Sequence, residues 1–431
     1  MSQVPPQVTT TSRPAITSPI FSMWALFLGV FLLMLGNGLQ GTLLGVRSSL
    51  ENFDTLVIGI ILAAYYAGFL VGSRFTIRAL GRVGHVRVFA ALASTASIVA
   101  LCYALFVNPP TWFLMRFVTG FCMAGLYVVI ESWLNDQATP QTRGRTLSIY
   151  MLLTLGGVTG GQFLLNVADP GGFELFVLSS ILVSVALVPL ALSESSSPRQ
   201  MTASALPLRT LLGIVPTGVV TMFFTGAAAG ALFAIGPVYA VQIGMSSRQI
   251  SLFLASALIG AILLQMPIGL ISDRVPRRGV IAVISAVAAG ASLLGLGTGD
   301  TTMAFIVMFV IGATSFPLYS LAIAYTNDWI EDDQRVGASG LLVMVNGVGA
   351  VTGPILGSSL ISAFSPDAYW WSLVLAHVAI LAYVTFRIIA RDAVPVEDQS
   401  TYAPLTGRSS PIASSIGRIR PGRLKKPSKK P

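Results

Sequence analysis

The sequence predicts an all-α membrane protein, with twelve transmembrane helices in two pseudo-symmetric six-helix bundles. Three observations carry that expectation. Hydrophobic residues make up 54% of the 431 and charged residues 10%, against about 25% charged in an average soluble domain. Too little polar surface is left for a soluble enzyme, a nucleic-acid-binding domain or a disordered scaffold. Apolar runs of about 20 residues, the length that crosses the hydrocarbon core, recur along the whole chain. The two halves of the chain also repeat each other.

Taken in order, residues 1–22 read as a cytoplasmic tail rich in Pro, Ser and Thr. It lacks the apolar core of a cleavable signal peptide, so the run starting near Met23 is expected to act as an uncleaved insertion signal. The N-terminal bundle is expected over 23–192, with runs at 23–46, 56–75, 88–107, 111–132, 147–167 and 173–192. Turn residues mark short connections, among them Asn108-Pro109-Pro110 and Asp169-Pro170-Gly171-Gly172. The polar interval 193–212 reads as a cytoplasmic linker. The C-terminal bundle is expected over 213–389, with runs at 213–241, 250–271, 280–297, 302–326, 338–364 and 369–389. Residues 390–431 form a basic tail. The 42 glycines, many inside apolar runs, suit close approach of membrane helices.

The repeat is visible in polar positions. At a shift of 192, Val118, Gly120, Tyr127, Asn135, Asp136 and Arg143 fall on Val310, Gly312, Tyr319, Asn327, Asp328 and Arg335. At a shift of 193, one residue of slip, Gly156-x-Val158-Thr159-Gly160 falls on Gly349-x-Val351-Thr352-Gly353. A 6+6 chain with parallel halves is the layout of a rocking-bundle transporter.

Charge sets the expected orientation. With the N-terminus inside and the tail set aside, inner segments hold 13 Arg and outer loops only Arg47 and Arg248, which places both termini in the cytoplasm. The net charge of +9 is concentrated in 391–431, with nine basic and three acidic residues. The tail reads as a solvated cytoplasmic segment able to contact anionic lipid, not as a nucleic-acid site. Cys102 and Cys122 lie in apolar runs and read as core-filling residues.

Between helices 8 and 9, Gly269-Leu270-Ile271-Ser272-Asp273-Arg274-Val275-Pro276-Arg277-Arg278 resembles the G-x-x-x-D-R-x-G-R-R signature of the major facilitator superfamily, with Pro276 in place of the second glycine. The equivalent first-half loop, Gly72 to Arg87, keeps glycines and four arginines but has no aspartate. Arg116-x-x-x-Gly120 resembles the superfamily's R-x-x-x-G motif of helix 4. The spacing Gly340-x8-Gly349-x3-Gly353-Pro354-x2-Gly357 is similar to its glycine-proline antiporter pattern, although in helix 11. Glu131-Ser132-Trp133-Leu134-Asn135, Thr142-Arg143-Gly144-Arg145 and Asp169-Pro170-Gly171-Gly172-Phe173 are similar to the YcaD-like branch. The resemblance implies a secondary transporter working by alternating access. It also implies a cytoplasmic gate of Gly269, Asp273, Arg274, Arg277 and Arg278 facing Arg143, Arg145 and Arg335. Asp273 is expected to dock at the start of helix 5 across the two halves.

Arg116, Gly120, Met123, Tyr127 and Glu131 share one stripe of helix 4 at 100° per residue, read as cavity-lining and coupling. Asn37, Gln40, Gln162, Asn166, Gln265 and Asn346 are further polar groups that hydrocarbon penalises, and the resemblance puts their helices around the cavity. Tyr65, Tyr66, Phe223, Phe224, Tyr239 and Tyr319 are candidate aromatic walls, and His377 in helix 12 is read as structural. No acidic residue lies in the middle of a run; Glu131 and Asp54, at run ends, are the nearest proton-coupling candidates. No G-x-x-x-x-G-K-[ST] loop, metal-ligand spacing or nucleophile set is present, so no cofactor and no enzymatic activity are expected. The expected protein is a monomer in the cytoplasmic membrane of a bacterium, moving a small organic solute, with proton-linked export ahead of metabolite uptake. A transport-fold sensor or assembly partner is the rival from another class.

Overall fold

The computed structural model describes residues 23–139, 142–191, 207–297, 300–331, 334–390, 394–400 and 402. Twelve helices carry the fold: α1 Trp24–Leu50, α2 Thr55–Val83, α3 His85–Leu105, α4 Pro109–Gln137, α5 Arg143–Phe163 and α6 Glu174–Ala191, then α7 Pro216–Gln242, α8 Ser247–Ser272, α9 Arg277–Gly295, α10 Thr301–Asn327, α11 Arg335–Ala363 and α12 Ala368–Ala390. Eleven of the described helices are long and apolar enough to span a membrane. At 18 residues α6 is the short one, about 27 Å by helical rise.

Local chemistry sets the ends. Asp54 caps α2 by accepting from the Leu56 and Val57 amides. Asn108 caps α4 ahead of two prolines, and Ser246 with Gln249 forms a capping box on α8. α2 outlasts its apolar run and stops at Gly84, whose φ of 84° suits a residue without a Cβ. The linker expected to reach 212 instead ends in a short helix, Leu208–Ile214. Pro216 opens α7 because it lacks an N–H and cannot continue that helix. α7 also contains one wide π turn, Ala231–Ile235.

The halves pack alike. In the first, α2 lies on α4, α1 on α5, and α3 on α6 and α4; in the second, α8 lies on α10, α7 on α11, and α9 on α12 and α10. Glycines make these crossings possible. A Cβ on Gly68 would strike the Phe117 carbonyl and one on Gly120 the Tyr65 carbonyl, and 192 residues on Gly260 meets Phe309 and Gly312 meets Ala257. The same shift relates Gly38 on Val158 to Gly230 on Ala350, and Gly161 on Leu35 to Gly353 on Ala227. The register therefore stays at 192 throughout, and the slip to 193 read from Gly156 and Gly160 is corrected. Gly157 and Gly161 are the true counterparts of Gly349 and Gly353. The matching Val-Thr pairs draw the eye one residue away, but Gly156 meets nothing.

Gly312→Val is accordingly expected to push α10 off α8 and cost about 1–3 kcal/mol. Gly290→Ala, where a Cβ meets open space, is expected to be neutral or to stabilise by about 0.4–1 kcal/mol. Thermal unfolding of the detergent-purified variants separates the two outcomes.

Candidate functional site

Between the halves lies a central cavity of about 1050 Å³, counting the solvent open to it. Its first-half wall is aromatic: Tyr65 and Tyr66 meet edge-on at 5.3 Å, and Phe69 continues the surface to Tyr127 with centroids 6.0 Å apart. Its second-half wall carries Phe233 edge-on to Phe316 at 5.6 Å, with Tyr319 alongside. Polar atoms enter through Thr154, Thr225, Ser315 and Asn346. Among the described residues, no Asp, Glu, Lys or Arg lines it.

At the end of the bundle remote from the chain termini, the halves are fastened together. Asn166 Nδ2 donates to Ser251 Oγ at 2.9 Å, Ser251 Oγ donates to the Gln162 carbonyl at 2.7 Å, and Gln242 Nε2 donates to Thr55 at 3.0 Å. Gly45 meets Pro237, and Gly59 meets Ser358 of α11. Gln162 and Asn166 thus serve this closure, Gln162 also taking the Thr42 hydroxyl, and neither lines the cavity.

Of the helix 4 stripe only Tyr127 reaches the cavity. Gly120 is spent on the Tyr65 carbonyl. Arg116, 6% exposed, lies behind the wall with its guanidinium 4.5 Å from the Tyr65 ring centre, a cation–π contact. Asn37 accepts from the Tyr65 hydroxyl at 3.5 Å, Gln40 is buried, and Gln265 lies nearer the terminal end, donating to Ser320 at 3.4 Å. Asn346 is a wall residue, whereas Phe223, Phe224 and Tyr239 are not.

Glu131, expected at the end of an apolar run, lies inside α4 instead. α4 runs six residues past it, and its side chain is wholly buried. Tyr150 donates to it at 2.8 Å. An apolar run that stops at 132 hides this, because the polar residues Asn135 to Gln137 look like a loop when they are helix. Phe69, Phe233, Phe316, Thr154, Thr225 and Ser315 escaped sequence reasoning too. Phe69 follows Tyr65 by one helical turn and could have been read from that spacing; nothing in the sequence marks the π turn that holds Phe233.

At the terminal end a second cluster gathers the gate residues of the C-terminal half. Arg277, 1% exposed, binds Asp328 at 2.6 Å and Asp273 at 3.0 Å. Arg278 donates to the Arg387 carbonyl at 2.7 Å and Arg335 to that of Asn327 at 3.4 Å; Arg274 and Arg145 are exposed. The Arg143 side chain lies outside the described residues. The chain then folds back: Ser400 donates its amide and its hydroxyl to Asp328, each at 2.7 Å, and accepts from Arg277 through its carbonyl. The Tyr402 amide donates to Asp273 at 2.9 Å. The Tyr402 ring covers Gly269, its hydroxyl facing Ser320 and Gln265. Burial pushes the Tyr402 phenol up to about 12, so it stays protonated at ordinary pH. The Asp328 carboxyl is also raised from its usual range: burial outweighs Arg277 and the Ser400 donors.

Asp273 is thus engaged by Arg277 and the returning chain. Its expected docking at the start of helix 5 is absent among the described contacts, in a conformation whose remote end is closed.

The Major Facilitator Superfamily profile matches residues 26–247 and 217–421. The chain belongs to the major facilitator superfamily. An uncharacterized MFS-type transporter of Enterobacter sp. (strain 638) is 27% identical over 392 residues, covering 90% of this chain and 97% of that protein. The uncharacterized MFS-type transporter YcaD of Salmonella heidelberg (strain SL476) is 27% identical over 374 residues, 85% of this chain and 95% of its own. Among solved structures, a mutant of the nucleoside transporter NupG shares the fold with a TM-score of 0.70 at 15% identity, over 86% of this chain and 99% of that one. A bacterial homolog of the human lysosomal transporter Spinster, inward-facing and occupied, has a TM-score of 0.67 at 15% identity, over 94% and 100%. This superfamily member is a multi-pass membrane transporter of the secondary type, not an enzyme.

Proposed function

We propose that the protein exports an amphipathic, weakly charged organic solute across the cytoplasmic membrane in exchange for protons, with both termini in the cytoplasm. The observation that carries the reading is the central cavity: aromatic on both walls, free of fixed charge among the described residues, and backed by the buried carboxylate of Glu131. Apolar walls favour a solute with an apolar body, and a carboxylate excluded from water and bonded by Tyr150 is suited to trade protons as the halves rock. The arginine bias puts the terminal end inside, so the fastened end faces out and the conformation is inward-facing. Arg116 supports the Tyr65 wall, and the Asp273–Arg277–Asp328 cluster holds the inner end of the C-terminal half.

Two measurements test this. Reconstituted protein should accumulate an aromatic amine against its own gradient only when a pH gradient is imposed, and accumulation that ignores the pH gradient would remove the proton coupling. Single cysteines at Asp300 and Asp367 should react with an impermeant thiol reagent added outside whole cells, while one at Gly84 should not. The reverse labelling would overturn the orientation.

A further inference from the structure

His377 lies directly behind the cavity wall. It is fully buried in α12, its Nδ1 2.7 Å from the Leu373 carbonyl and its Nε2 2.5 Å from Ser315 Oγ. A carbonyl only accepts, so in the neutral ring the proton sits on Nδ1 and Nε2 is left as an acceptor. The Ser315 hydroxyl must then donate to Nε2. Its proton is committed behind the wall, and what Ser315, a cavity residue, has left to offer a solute is lone pairs. Asn346 is arranged to the same effect. One of its two Nδ2 hydrogens goes to the Met222 carbonyl at 3.1 Å, and its amide oxygen keeps both lone pairs for a donor.

Resting on the reading of the cavity as the solute site, we propose that Ser315, oriented by His377, and Asn346 form an acceptor face that selects solutes carrying an N–H donor on an aromatic body. The chemical class is a protonated aromatic amine. Its ammonium hydrogens find two acceptors on the second-half wall, and its charge is met by the faces of Tyr65, Tyr66, Phe233 and Phe316. Ser315 and Asn346 touch the solute; His377 is a positioning residue.

The test compares three probes on detergent-purified protein by equilibrium binding and thermal shift: naphthylmethylammonium, its N-trimethyl counterpart without an N–H, and acetylnaphthalene, which only accepts. Naphthylmethylammonium should bind best, and Ser315→Ala should weaken it about tenfold, the scale of one hydrogen bond to a charged group, while leaving the N-trimethyl probe unchanged. His377→Phe frees the Ser315 proton, so it should weaken naphthylmethylammonium and strengthen acetylnaphthalene. A purely structural role for His377 would not reverse the preference in this way. Equal binding of the two ammonium probes, no effect of Ser315→Ala, or no binding of naphthylmethylammonium overturns the inference. Ala229→Trp, which fills the cavity, separates the two levels: if it leaves probe binding intact, the cavity is not the solute site. If it blocks binding while Ser315→Ala does nothing, only the acceptor face is refuted.

Discussion

Replacing Glu131 by glutamine is expected to reduce pH-gradient-driven transport to the background of empty vesicles, while exchange of solute at equal pH continues. Glutamine matches the shape of glutamate and can still accept from Tyr150, which donates to Glu131 at 2.8 Å. It cannot bind or release a proton. Folding and solute binding should therefore survive while the coupling is lost. The buried position makes the substitution decisive, because water cannot substitute for the missing carboxylate. Flux assays in proteoliposomes with and without an imposed gradient check it. A Glu131→Gln protein that still responds to the gradient would move the coupling site elsewhere.

The second large effect concerns stability. Asp328→Ala should destabilise the protein by about 3–5 kcal/mol, since it removes the buried partner of Arg277 and leaves that guanidinium only the partly exposed Asp273. Both side chains of this pair are 1% exposed. Removing both charges in Arg277→Met with Asp328→Leu should restore much of the loss, because a buried ion pair is costly to desolvate and an apolar pair of similar volume is not. The raised Asp328 carboxyl is a direct sign of that cost. The single variant should also release Ser400 and so speed chymotryptic cleavage at Tyr402, which is 8% exposed. Melting curves and limited proteolysis read both. An Asp328→Ala protein that melts with the parent would show that the cluster contributes nothing to the fold.

Much of this architecture is legible in the chain itself. Bilayer thickness imposes a length that eleven of the described helices meet, and the arginine-rich motif around Asp273 marks the loop between α8 and α9 because few other residues in the chain are charged. What escaped notice depends on rotation about a helix axis and on contacts distant in sequence. Arg116 and Tyr127 share a helix face, yet one stands behind Tyr65 and the other in the cavity. Hydropathy cannot distinguish them, because in a bundle inside a membrane both the core and the lipid face are apolar. Gln162 and Asn166 were identifiable as polar groups needing partners, but their partner Ser251 lies in the other half.

Asp328 receives its last donors from residue 400, ten positions after α12 has ended. During synthesis all twelve helices are made before that residue is. The terminal end of the C-terminal half is therefore completed only after every span has been made, since domains form in the order their residues appear. A chain terminated between 391 and 399 would have every span and still leave Asp328 short of two hydrogen bonds. Such a product should carry every span yet melt below the parent, because the segment through Tyr402 is part of the fold of the C-terminal half.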